Sequence, residues 1–230
     1  MVDWNKAIEQ TYVVKFPQQH LATFGITEID YFIVTEPVYT AFNPSKQQLE
    51  SVLRTGKVKS NQPHIITPNY ALNISGFSKS AYEYMQSISY EYGPNSPAIM
   101  YQYSNDPGNL EILNGIPTEI AQRISKDLSD RNNHLSVVIV GVDEFWDVAL
   151  LKFIYEYTAA SISFNSQEIR SAGLLDPIEK YGNLPVAVVN QIEEMFKSVS
   201  VGGSVEILKK ELEKWGVYQF YEDRFLGLFK

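Results

Sequence analysis

The sequence predicts an α+β fold, with a strand-rich N-terminal half (a mixed or antiparallel sheet with a β-hairpin) packed with a mainly helical C-terminal half. Two observations carry that prediction. Before about residue 115 the apolar runs are short, rich in β-branched and aromatic residues, and bounded by glycine and proline; after it, apolar residues recur every three or four positions. A hydrophobic content of 44% against 20% charged residues is ample for a real core.

The first element expected is a short helix over 3–10, with Asp3 as its cap and Trp4 and Ile8 on one face. TYVVKFP reads as extended up to Pro17, and IDYFIVT, Ile29 to Thr35, as a strand whose nearly continuous apolar run calls for cover on both faces. A helical turn is expected at Pro44-Ser45, after which SVLRTGKVKS reads as a hairpin turning at Thr55-Gly56. His64-Ile65-Ile66 is the next strand, stopped by Pro68. The period changes around Gly76, and Ser80 with Glu83 has capping-box spacing. The helix that follows ends at Gly93-Pro94 and stripes Ala81, Tyr84, Met85, Ile88 and Tyr92. AIMYQY, 98–103, is a strand, Asp106-Pro107-Gly108-Asn109 a turn, and Leu110 to Leu113 a short returning strand.

Pro117 opens a helix to about Arg131 with Ala121, Ile124 and Leu128 inward and the pairs Glu119/Arg123 and Asp127/Arg131 outward. Two local structures fit the long apolar stretch Leu135 to Tyr157. In one, Val137 to Val142 is a buried strand, Gly141 lets the chain turn and Asp143 caps a helix; in the other a single helix runs throughout. The run VVIV favours the strand. A short helix over 166–172 follows, then helices from Pro185, from Val205 to Trp215, and from Tyr218 to Leu228. Composition divides the chain into a strand-rich part, 1–115, and a helical part, 116–230, which can share one core.

The formal charge of −8 opposes binding to nucleic acid or anionic lipid, and no basic run offsets it. The three acids in the Leu135 to Tyr157 stretch would each cost about 2.5 kcal/mol or more at a bilayer centre, so it reads as a buried element of a non-membrane protein. Without cysteine there is no disulfide, thiolate nucleophile or cysteine-ligated metal, and the first ten residues lack the apolar core of a signal peptide. A cytoplasmic protein is the expectation.

Phosphate-cradling glycine motifs and the usual serine-nucleophile motifs are absent. No cofactor or metal site is assigned. The weak catalytic candidates are Asp143 and Asp147, four apart on the flank of an apolar helix face, with His64 and His134; His20 is equally isolated in sequence. The plainer alternative for both acids is a helix N-terminus, which favours carboxylates by about 0.3 to 1 kcal/mol without any function.

Tyrosine, with 15 residues, is crowded between Tyr82 and Tyr103. It joins a large ring to a polar tip and suits interfaces as well as core edges. The last segment adds Tyr218, Phe220, Tyr221, Phe225, Leu226, Leu228 and Phe229, which need cover from this chain or from a second copy. The function expected is therefore contact with proteins, as a homo-oligomer or a component of an assembly. The alternative is an enzyme or small-molecule binder with a pocket between the two parts that uses the acids.

Overall fold

The computed structural model describes residues 4–39, 49–74 and 78–229, with the side chain of Trp4 set aside. The elements begin with α1 (Trp4–Gln10), β1 (Tyr12–Lys15), β2 (Thr27–Glu36), β3 (Glu50–Ser60), β4 (His64–Ile66) and α2 (Pro68–Leu72). Next come α3 (Lys79–Tyr92), β5 (Ala98–Met100), β6 (Tyr103–Asn114), α4 (Pro117–Asp130), β7 (Ser136–Val142) and α5 (Trp146–Ser171). The chain continues through β8 (Pro177–Ile178), β9 (Leu184–Pro185), α6 (Val186–Ser200), α7 (Val205–Lys214) and α8 (Tyr218–Leu226). The expected Asp3 cap, the turn at Pro44-Ser45 and the change of period at Gly76 lie outside the described residues.

Two compact units are interleaved in sequence, one holding 1–62 and 101–165, the other 63–100 and 166–230. The compositional border at Gly115 lies inside the first unit.

The first unit is a five-stranded sheet in the order β1-β7-β2-β3-β6, parallel between β2 and β7 and antiparallel elsewhere. Successive side chains of β2 and β7 alternate between the two faces. Ile29, Tyr31, Ile33, Val137 and Ile139 meet Ala149, Leu150, Phe153 and Tyr157 of α5 on one face. Val34, Val138 and Val140 meet Ile120, Ala121 and Leu128 of α4 on the other. Cover on both faces is why these strands read as continuous apolar runs. The strand reading of 137–142 is the observed one. Gly141 does not turn the chain, however. It pairs with Thr35 inside β7, and a Cβ there would sit 3.2 Å from that of Ala149, so glycine lets α5 approach the sheet.

The hairpin expected at Thr55-Gly56 and the turn expected at Asp106-Pro107-Gly108-Asn109 are not turns. Both fall inside long strands, β3 and β6, which pair with each other. The register shifts between Arg54 and Gly56, where the Asn109 N–H donates to Thr55 Oγ1 at 3.2 Å. The two turn-like sequences are thus the two sides of one bulge, where glycine and an edge-strand proline are tolerated. Consecutive antiparallel strands do occur, as β2 and β3.

In the second unit, α6, α7 and α8 enclose Val188, Ile192, Phe196, Leu208, Leu212 and Trp215. Tyr221 and Phe225 are buried in this same core, so part of the aromatic terminal segment is covered by its own chain. Trp215 lies 4.3 Å from the ring of Tyr70, and Gly216, at φ +68°, ends α7 in the left-handed conformation glycine favours. The side chain of Asn73 reaches the Lys214 carbonyl of that helix end at 2.9 Å. The short helix expected over 166–172 is instead mostly the end of α5. The cap of α3 is Ser78, whose hydroxyl accepts from the Ala81 N–H at 3.3 Å, in place of Ser80.

Candidate functional site

Asp143 follows β7 directly, at the carboxyl ends of the two parallel strands β2 and β7. In parallel α/β sheets that end is where ligands commonly bind; here, among the described residues, the sheet has one parallel pair, β2 and β7. Asp143 is not a helix cap, because its carboxylate is taken up by side chains of neighbouring strands. Thr35, from the end of β2, donates to Oδ1 at 2.7 Å, and Arg54 of β3 pairs with the same oxygen. Arg54 Nη1 also reaches Thr35 Oγ1 at 3.3 Å, and its guanidinium lies 5.8 Å from the centre of the Trp146 ring. Both charged side chains are largely buried, 18% and 15% exposed. Near this cluster Tyr39 donates to Glu50, and that carboxylate holds the Tyr39 phenol above its usual range.

This arrangement pairs a carboxylate with a guanidinium and ties the ends of β2 and β7 to β3. It offers a guanidinium, a hydroxyl and an indole ring to a small polar molecule, with Arg54 already neutralising Asp143. Asp147 is exposed in the first turn of α5 and accepts from the next backbone N–H, that of Val148, at 2.9 Å. Among the described residues the two acids share no partner.

Each histidine has its own surroundings. His134 shares a hydrogen bond of 2.6 Å with Gln18, His20 stacks on Phe164 at 5.2 Å, and His64 lies in β4 of the second unit. Among the described residues, no group of three or more histidine, aspartate or glutamate side chains is placed to hold a metal ion. No helix among them is long and apolar enough to cross a membrane.

Sequence reasoning missed Arg54 and Lys15. Read as the strand it is, VLRTG sets Arg54 two residues from the buried Val52 on one face of β3, and that alternation was the available signal. The buried Lys15 amine donates to Asn133 O at 3.0 Å and Ser136 Oγ at 2.9 Å, and desolvation lowers its pKa. Nothing local in YVVKF announces that position.

The tyrosine-rich region forms a surface. None of the 14 residues of α3 is fully buried; of the expected stripe, Ala81, Met85 and Ile88 are half-buried and Tyr84 and Tyr92 exposed. Tyr82, Tyr84, Tyr90 and Tyr92 are 46%, 63%, 95% and 63% exposed. A depression of about 720 Å³ beside the helix is lined by Leu72, Glu83, Gln86, Tyr90 and Pro94 among others. No protein family, curated protein or solved structure matches the chain.

Proposed function

We propose that this chain acts through protein contacts, as a homo-oligomer or a component of an assembly, with α3 as a contacting element. The observation that carries this reading is a 14-residue helix with no buried residue and four exposed tyrosine rings. Helices of about this length owe their stability to a packed face, and α3 has only a partial one, Ala81, Met85 and Ile88 being half-buried. The Ser78 cap and the Lys79–Glu83 pair at 3.6 Å supply about 1 kcal/mol between them. Tyrosine, with tryptophan and arginine, is also enriched among interface anchors.

Size-exclusion chromatography with light scattering tests the reading, comparing the wild type with a Tyr84→Ser/Tyr90→Ser double variant. The expected result is a mass above the 26.2 kDa monomer, or a stable complex with a captured partner, lost in the variant while its thermal melt is unchanged. A strict monomer at high concentration with no partner in a pull-down contradicts it.

A second reading attaches to Asp143, Arg54 and Thr35, a small-molecule site at the carboxyl ends of β2 and β7. A thermal-shift screen of polar metabolites tests it. A ligand that raises the melting temperature of the wild type, and not of Asp143→Asn, supports this reading.

A further inference from the structure

Among the described residues, the sheet of the first unit ends in two dissimilar edges. β1 has only 4 residues and an irregular register between Val13 and Lys15. β6 has 12, almost all with exposed side chains. Sheet edges carry unpaired backbone N–H and C=O groups and are ordinarily blunted by lysine, proline or a bulge. On β6 those devices are confined to 106–109, where Pro107 stands in the strand and the register breaks. Leu110 to Asn114 contains no proline, no lysine and no arginine.

The side chains of that open segment sort by face. Leu110 and Ile112, paired with Arg54 and Val52, are 59% and 58% exposed on one side of the sheet. Glu111 is paired with Leu53 and lies exposed on the other. A strand laid against this edge meets apolar surface at alternate positions and a carboxylate between them. Asp106 and Glu111 are the charged residues of β6, and the chain as a whole carries −8. A second copy would bring the same acidic edge, whereas a basic segment complements it.

We propose that residues 110–114 of β6 accept an extended segment of another protein as an added strand, one that alternates apolar residues with lysine or arginine. Backbone hydrogen bonds to the edge supply affinity, Leu110 and Ile112 take the apolar residues, and Glu111 selects the basic one. The proposal deepens the protein-contact reading by naming a partner chemistry, and it uses a surface other than α3.

Fluorescence anisotropy on the full chain tests it, with a labelled peptide of alternating valine and lysine, about eight residues long. The expected result is saturable binding that is weakened more than about tenfold by N-methylation of the peptide backbone, which removes its hydrogen bonds. Glu111→Lys, with an unchanged melt, weakens it about threefold or more and favours the valine-glutamate peptide instead. The Tyr84→Ser/Tyr90→Ser variant binds the peptide as the wild type does, so failure here and failure of the α3 reading are distinguishable. No binding at millimolar peptide, or binding indifferent to N-methylation and to Glu111→Lys, overturns the proposal. A dimer whose amide protection falls on 110–113 assigns the edge to a second copy and overturns it as well.

Discussion

Arg54 and Asp143 show how a residue that looks catalytic in sequence is absorbed by its neighbours. An aspartate after a buried strand signals either a cap or a site. The decision rests with Thr35 and Arg54, which are 108 and 89 positions away in the chain. Because the pair is mostly shielded from water, removing one partner strands the other. Arg54→Ala is expected to lower stability by about 1–3 kcal/mol in urea unfolding, and Arg54→Met combined with Asp143→Leu to recover part of the loss.

Tyr157 provides the pH test at the same scale. Burial pushes its phenol up to about 12, from an ordinary 10.0, while its hydroxyl donates to the Gln19 carbonyl at 2.5 Å. A folded-state pKa above the unfolded value means stability that is complete below pH 10 and lost as pH rises toward 12. Tyr157→Phe is expected to flatten the alkaline loss between those pH values. At pH 7 it costs about 0.5–1.5 kcal/mol for the missing hydrogen bond. Parallel thermal melts at pH 7, 9 and 11 would check both.

At the scale of elements, the strand, helix and glycine-stop signals that depend on near neighbours were legible, whereas the caps expected at Ser80 and Asp143 were not. The strand over IDYFIVT, the helix from Pro117 and the glycine stop at Gly216 follow from residues within one or two turns. The hairpin at Thr55-Gly56 failed because Gly56 serves a contact remote in sequence. A Cβ there would lie 2.3 Å from the Tyr31 hydroxyl and 2.7 Å from the Asp106 carbonyl oxygen. Gly56→Ala is expected to cost about 1–3 kcal/mol, since Tyr31 is buried and the carbonyl belongs to a paired strand. Gly141→Ala meets its nearest atom at 3.2 Å and is expected to cost clearly less in the same urea titration.

At the scale of the molecule, the shift from strand-rich to helix-rich sequence near Gly115 is real, yet it does not mark a border between compact units. The sheet takes β7 from the helical half and inserts it between β1 and β2, a parallel pairing that no local pattern announces. The candidate site was legible to the extent of Asp143, and its partners were not. The incomplete burial of α3 is the larger departure, since an apolar stripe at helical spacing is ordinarily a core face, whereas here Ala81, Met85 and Ile88 are only half-buried. That departure is what directs the functional reading toward a partner. The most direct measurement replaces Tyr90 with a photoreactive benzoyl-phenylalanine in the cell of origin and compares it with the same residue at Val201, which is 87% exposed. The account expects a discrete adduct, from a second copy or another protein, at position 90 and not at 201; no adduct at 90, or the same adducts at both, would contradict it.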